Sequence, residues 1–349
     1  MPNENAKPNE KSKPAKPEAK PAEPKYLVVD LTNDSKGQQT VAYGLPKDLV
    51  IGSKVKGNPK NRPNLWHRPV DKWRNIWGKG LTGKGVKIAV LDTGYKAHPD
   101  LPEPLHIRIY GNERETVNVH SNHVSSIALG RNGIGVAPEA ELGVFKVLFG
   151  RQGSGSNIGI ARAIRDAADL GYDIINLSLG GGGFDQTVVD AIEYANSKGC
   201  IVVAAAGNSG FRTGENSVDY PGRYRQTIAV AAIRSNGDIA GFSGGGEEVD
   251  VAAPGEGIVG ADLEGGYIVP SGTSMSTPEV SGTLSLVLQR QRASGAAAFD
   301  GVEAVREFLA KYSDDAGAPG EDVRFGSGIP RTDNLDKQLA ADDVTMTSV

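Results

Sequence analysis

Four polar residues stand where apolar segments of the chain begin or end. Asp92 follows VKIAVL, Ser178 is the last but one residue of DIINLSL, and Asn208 follows IVVAAAG. Ser274 lies in PSGTSMSTP ahead of the apolar segment TLSLVLQ. In a parallel sheet, reactive groups gather beyond the carboxyl ends of the strands. A serine, a carboxylate and an amide at that edge favour nucleophilic attack on a carbonyl group.

A serine hydroxyl needs a base, and imidazole suits that role because its pKa lies near neutrality. The segment VNVHSNHVSSIAL offers His120 and His123. If a helix begins near His120, the two rings lie about one turn apart on one face. Only one of them can then meet both Asp92 and Ser274, and the other is predicted to be structural.

Apolar segments alternate with helical periodicity along the middle of the chain, which is typical of a parallel sheet covered by helices on both faces. One helix is expected after a possible N-cap at Ser156, and another from Asp185 to the stop at Lys198-Gly199. We predict an α/β fold, a three-layer α/β/α sandwich with a mainly parallel central sheet. The strands expected to be buried span residues 86–91, 142–148, 173–179 and 200–206.

Composition excludes several classes of protein. The 349 residues carry a net charge of −4 with scattered Lys and Arg, so no nucleic-acid partner is expected. The single cysteine, Cys200, rules out an internal disulfide framework. No apolar run reaches the ~18 residues of a transmembrane helix, and the chain starts without the apolar stretch of a secretory signal. We expect no membrane partner and a cytoplasmic location; no oligomeric state is indicated.

Six segments, in this order, resemble the signature segments of the subtilisin family, in a style closest to the intracellular subtilisins. They are VKIAVLDTGYKAHPDL, HSNHVSSIAL followed by GVAPEAEL, INLSLGG, VVAAAGNSG, VDVAAPG and GTSMSTPEVSG. The resemblance implies a serine endopeptidase that acts on peptides or proteins through an Asp-His-Ser triad and an acyl-enzyme, with no cofactor required.

The resemblance also implies a role for each residue. Ser274 is the nucleophile, His120 the base and Asp92 the carboxylate that orients the imidazole, while Asn208 donates to the oxyanion together with the Ser274 N–H. A peptide substrate is expected to bind as an extended strand between two backbone segments. These segments are Ser178, Leu179 and Gly180 on one side and Gly153, Ser154 and Gly155 on the other.

The resemblance also assigns Gly207 to substrate binding, and counting without gaps from Gly207 to Pro221 puts Asp219 at the floor of the S1 pocket of similar enzymes. Because an acid there would favour Arg or Lys at P1, one hypothesis is a preference for basic P1 residues. The alternative is a turn aspartate before Tyr220.

Two features depart from the family pattern. Ser121-Asn122 and Ser125-Ser126 replace the usual Gly-Thr and Ala-Gly around the base, which motivates an alternative: a catalytically degenerate subtilase that binds peptides or acts as a scaffold.

The loop after this segment is also too short for the tight calcium site of secreted relatives, which we expect to be missing. A weakly bound calcium or monovalent cation remains a possibility, because hard ions favour oxygen ligands. Its ligands would be Gly222, Tyr224, Thr227 and Asp250, where an ordinary solvated Asp250 is the alternative.

The chain divides into four parts. Residues 1–25 are rich in Pro, Lys and Glu and are predicted to be a disordered tail. Residues 26–63 form an extension, inhibitory or prosegment-like, with two expected strands in YLVVDL and DLVIGSKV. Residues 64–335 form the peptidase domain, and 336–349 a C-terminal tail.

An α/β-hydrolase is a rival enzyme class, since GFSGG (241–245) matches its nucleophile motif. Two observations oppose it. The residues after it read as a strand, and all five histidines precede it, whereas the hydrolase order places the histidine after the serine.

Overall fold

Eight parallel strands form the central layer of the protein. The structure is a computed structural model, and it describes residues 26–29, 42–44, 65–67, 75–111, 117–181, 183–212 and 214–331. In spatial order the sheet runs β1-β4-β5-β3-β7-β8-β9-β10. Its strands are β1 (Tyr26–Val29), β3 (Lys87–Asp92), β4 (His106–Tyr110), β5 (Glu141–Lys146), β7 (Ile174–Leu177), β8 (Ile201–Ala205), β9 (Ile228–Ile233) and β10 (Val249–Pro254).

Helices cover the two faces of this sheet, and antiparallel strand pairs lie outside it. The helices are α1 (Val119–Leu129), α2 (Asn157–Asp169), α3 (Gln186–Ser197), α4 (Thr273–Ser294) and α5 (Gly301–Tyr312). The pairs are β2 (Ala42–Gly44) with β6 (Ser154–Ser156), β11 (Gly260–Ala261) with β12 (Tyr267–Ile268), and β13 (Ser313–Asp314) with β14 (Ile329–Pro330).

Alternation along each strand explains the three layers. Ile88 and Val90 of β3 are buried among residues of α1, α4 and α5, whereas Ala89 and Leu91 of the same strand are buried among residues of α2 and α3. Successive side chains of a strand point to opposite sides, and helices pack on both sides, so both faces of the sheet are buried. The predicted α/β/α sandwich is therefore confirmed.

The expected elements differ from the observed ones by one or two residues at their ends. Ser156 caps α2, since its Oγ accepts from the Gly159 N–H at 3.1 Å, and Asp185 caps α3 by accepting from the Thr187 N–H at 2.9 Å. The strand expected over residues 173–179 ends at Leu177. Ser178 therefore follows the strand instead of closing it.

The N-terminal extension contributes two strands to the fold. β1, the strand expected in YLVVDL, pairs in parallel with β4 at the outer edge of the central sheet. β2 pairs antiparallel with β6, with Tyr43 opposite Gly155. The second expected strand, in DLVIGSKV, lies outside the described residues, as do the tails 1–25 and 336–349.

Of the helices that the structure describes, none has both the length and the apolar character needed to cross a bilayer.

Candidate active site

Asp92 and His120 form a buried pair at the carboxyl edge of the sheet. Asp92 closes β3, and its Oδ2 lies 2.8 Å from His120 Nδ1, with both side chains 0% exposed. The other carboxylate oxygen, Oδ1, accepts from the Thr93 N–H at 2.6 Å. An imidazole whose Nδ1 faces a carboxylate presents Nε2 to a reactant, which is the orientation that a general base requires.

The start of α1 determines which histidine faces Asp92. The Asn118 side chain caps the helix by accepting from the His120 N–H at 3.0 Å, so His120 projects from the first turn. His123 lies nearly one turn further on, and its Nε2 is 2.9 Å from the Ile258 carbonyl oxygen. Burial lowers the pKa of His123 to about 3, so this ring is neutral and serves as a packing partner.

Ser274 lies in the first turn of α4, and its hydroxyl is directed at Ser178. Ser274 Oγ donates to the Ser178 carbonyl at 3.1 Å, while Ser178 Oγ donates to the Ser274 carbonyl at 2.9 Å. Among the described residues, His120 Nε2 has no hydrogen-bond partner. The structure therefore contains the Asp–His bond but not the His–Ser bond, which in ligand-free enzymes often forms only with substrate.

Two N–H donors beside Ser274 are available to a ligand. Asn208 Oδ1 accepts from the Thr273 N–H at 2.9 Å and from Thr273 Oγ1 at 3.1 Å, which fixes the amide with its Nδ2 free of any described acceptor. Thr273 Oγ1 in turn accepts from the Gly207 N–H at 3.1 Å. Gly272, the N-cap residue of α4, has no side chain that could bond the helix start, so the Ser274 N–H lies at the positive end of the helix dipole. Such an arrangement stabilises a developing oxyanion.

Asp219 lies against two glycines that leave room for its side chain. A Cβ built on Gly207 would lie 2.6 Å from Asp219 Cγ, and one built on Gly180 would lie 3.1 Å from Asp219 Cβ. Burial raises the pKa of this carboxyl to about 6, and no described residue donates to it or pairs with it. It is thus a half-buried acid without a counter-charge, close to Gly207 and Gly180, which the resemblance assigns to substrate binding.

The two predicted substrate-binding segments are both described. Leu179 is fully buried between the sheet and α2 and α3, so only its backbone is available to a peptide. On the other side, Gly153 precedes β6, which contains Ser154 and Gly155. The outer edge of β6 carries β2 of the extension.

The four residues suggested for a cation are engaged with protein groups. Asp250 Oδ1 accepts from Arg306 Nε at 2.6 Å, and the same guanidinium donates to the Thr227 carbonyl at 2.7 Å. Thr227 Oγ1 donates to the Tyr224 carbonyl at 2.8 Å and lies 3.2 Å from the Gly222 carbonyl oxygen. A cation of the chain itself thus pairs with the carboxylate that was considered as one of two alternatives to be an ion ligand. Burial nevertheless outweighs Arg306 and raises the pKa of Asp250 to about 6.

Within the described residues, no group of three or more His, Cys, Asp or Glu is placed to hold a metal ion.

Sequence reasoning missed a buried lysine behind the Asp–His pair. Lys146, 2% exposed, is opposite Asp92 in the β3–β5 register, and its Nζ donates to the carbonyls of Thr93 at 2.8 Å and Leu148 at 3.0 Å. Thr93 also accepts from the Ser121 N–H through its Oγ1, at 3.3 Å. The sequence feature that could have revealed it is a lysine at the end of a strand whose neighbouring residues are apolar.

The α/β-hydrolase alternative is wrong. Ser243 of GFSGG is fully buried, accepts from the Ala232 N–H at 3.0 Å and donates to the Gly244 carbonyl at 3.1 Å. The strand β10 follows it, where a nucleophile elbow would continue into a helix.

Comparison with known proteins agrees with this geometry. The profile of the Subtilase family of peptidases matches residues 83–328. Subtilisin Savinase of Lederbergia lenta is 43% identical over 218 residues, which cover 61% of this chain and 79% of that protein. The Major intracellular serine protease of Bacillus subtilis (strain 168) is 39% identical over 238 residues, 62% of this chain and 73% of that protein.

A solved structure extends the similarity to the fold. The Prenylagaramide maturation protease PagA superimposes with a TM-score of 0.66 at 26% identity, covering 77% of this chain and 99% of that one. The family match spans well over half of the chain and includes both members of the Asp92–His120 pair and Ser274. The chain belongs to the subtilase family and is a serine endopeptidase.

Proposed function

We propose that peptide hydrolysis is carried out by Ser274, His120 and Asp92, with Asn208 as the side-chain donor to the oxyanion. The observation that supports this most directly is the buried 2.8 Å contact between Asp92 Oδ2 and His120 Nδ1, on the same edge as the uncapped start of α4.

The cycle follows from these positions. Ser274 Oγ attacks the scissile carbonyl carbon while its proton moves to His120 Nε2, and Asp92 stabilises the imidazolium. Asn208 Nδ2 and the Ser274 N–H bind the oxyanion. The imidazolium then gives its proton to the leaving amine, and water repeats the sequence on the acyl-enzyme.

A fluorophosphonate probe tests this assignment. Folded wild-type protein should be labelled once, on Ser274, and Ser274→Ala should abolish both labelling and hydrolysis of casein. Labelling of another serine, or undiminished hydrolysis by Ser274→Ala, would refute the assignment.

The degenerate subtilase is the second candidate. It is favoured by one observation: the Ser274 hydroxyl donates to Ser178 and not to His120. Correctly folded protein that neither reacts with the probe nor cleaves casein, but still binds peptides, would identify this candidate as the right one.

We also propose that the enzyme prefers Arg or Lys at P1. A half-buried carboxylate without a counter-charge is costly to keep, and a basic side chain from the substrate would supply that charge. Asp219 has this property and contacts Gly180 and Gly207. Profiling with a peptide library tests it, and a marked preference for Phe over Arg at P1 would contradict it.

The extension is proposed to restrict access to the cleft. Support comes from the β2–β6 pairing, since β6 contains Ser154 and Gly155 of the predicted substrate edge. A strand edge can pair with only one partner, so β2 and a peptide substrate would compete for it.

A further inference from the structure

Asn122 is fully buried in α1, two residues after His120, and its side-chain amide makes three hydrogen bonds. Asn122 Oδ1 accepts from the Lys96 N–H at 3.0 Å. Asn122 Nδ2 donates to the Lys96 carbonyl at 2.9 Å and to the Asp262 carbonyl at 3.2 Å. All three partners are backbone groups, so the amide holds chain segments and not side chains.

The partners of Asn122 belong to the segments that carry the other two triad residues. Lys96 lies in the loop that leaves β3 directly after Asp92. Asp262 follows β11 in the hairpin that leads through β12 to Ser274. The hairpin is itself ordered, because Asp262 Oδ1 accepts from the N–H groups of Glu264 and Gly266, both at 2.7 Å.

We propose that Asn122 is a positioning residue that fixes the three triad-bearing segments relative to one another. The inference rests on the triad assignment made above. Asn122 does not reach the reacting atoms; it acts through the Asp92 loop and the Ser274 hairpin and ties both of them to α1. The loop and the hairpin are also joined directly, since His98 Nε2 lies 2.9 Å from the Gly266 carbonyl oxygen.

The chemistry of the site requires an amide. Two donated bonds and one accepted bond match the two N–H groups and the carbonyl of asparagine. The threonine that usually occupies this place in the family has a single hydroxyl, which has only one hydrogen to donate. Aspartate has the same shape but would place a carboxylate oxygen against two carbonyls. The replacement of the usual threonine by Asn122 is therefore a different way of joining the segments and does not indicate a catalytically degenerate protein.

Asn122→Ala and Asn122→Asp test the proposal, with Asn196→Asp as the matched control. Asn196 donates one bond to the Gln226 carbonyl at 2.9 Å at the end of α3. Displacement of catalytic groups by about 1 Å costs roughly 100-fold in rate. We expect both variants at residue 122 to lose about 10- to 100-fold in kcat per labelled active site with KM changed less than about twofold. The control should keep the wild-type kcat.

A spectroscopic readout separates positioning from stability. The proton on His120 Nδ1 that faces Asp92 should give a downfield resonance in wild type and the control, and a shifted or broadened one in the Asn122 variants. Variants at residue 122 that fold with wild-type kcat and an unchanged resonance would overturn the proposal. So would a failure of every variant at 122 to fold, which would make the residue structural. A wild-type protein that the fluorophosphonate does not label would instead refute the triad assignment.

Discussion

Asp92 Oδ2 lies 2.8 Å from His120 Nδ1, and neither side chain is exposed to solvent. Burial excludes water as a competing partner for the imidazole N–H, so its tautomer depends on this one contact. The pair therefore decides which nitrogen is available to Ser274 in the proposed triad.

Asp92→Asn tests that dependence. An amide can donate to Nδ1 and stabilise the wrong tautomer, so we expect kcat to fall by about 10⁴, the loss known for the same change in a chymotrypsin-type triad. The melting temperature should change little because the amide has the same shape. Steady-state kinetics and thermal unfolding are the measurements; a loss below about tenfold would assign Asp92 a structural role.

Lys146→Met should remove the hydrogen bond that holds the Thr93 backbone next to the Asp92–His120 pair. It leaves the Thr93 carbonyl buried without its 2.8 Å donor, which costs about 1–3 kcal/mol. We expect a lower melting temperature together with a lower kcat, since Thr93 also donates to Asp92. Lys198→Met, which changes an exposed lysine at the end of α3, is the control. Unchanged melting temperature and kcat in Lys146→Met would contradict the expectation.

Asp219→Asn tests the proposed P1 preference and its pH dependence. With a pKa of about 6, the Asp219 carboxyl is ionised above that pH and neutral below it. The ratio of kcat/KM for P1-Arg to that for P1-Gln peptides should therefore fall as pH is lowered from 8 to 5. In Asp219→Asn this ratio should be at least ~10-fold lower at pH 8 and independent of pH. A ratio in wild type that does not respond to pH would indicate a turn aspartate.

Replacing Ala42, Tyr43 and Gly44 with proline tests the role of the extension. Proline removes the backbone N–H groups that a paired strand uses, so β2 should leave β6. We expect kcat/KM for a long peptide to rise severalfold. Three prolines at Asn9, Glu10 and Lys11, within the tail 1–25, form the matched control. Equal activity of the two variants would remove the inhibitory role.

Local sequence patterns were sufficient for four buried strands of the core, whereas β4 and β9 were not among the expected strands. A strand buried on both faces reads as a continuous apolar run, and β3 was expected within one residue of its observed limits. Helix caps such as Ser156 were equally visible because the capping oxygen and its N–H partner are three residues apart.

Contacts between distant segments were not visible in the sequence. Asp250 meets Arg306 across 56 positions, and Asn122 meets Asp262 across 140. No periodicity connects such pairs, since only the folded sheet brings them together. The same holds for β2, whose three residues carry no strand pattern and were not expected to pair with β6.

The pairing of β1 with the edge of the central sheet affects how the β6 edge could become accessible to a substrate. Residues 30–41 join β1 to β2, so while β1 is paired with β4 the strand β2 is kept at a high local concentration beside β6. A cut after Gly44 would sever the extension from the catalytic core without removing it. Exposure of the β6 edge then depends on dissociation of the paired strands, and dilution of the nicked protein would raise the dissociated fraction by slowing their rebinding.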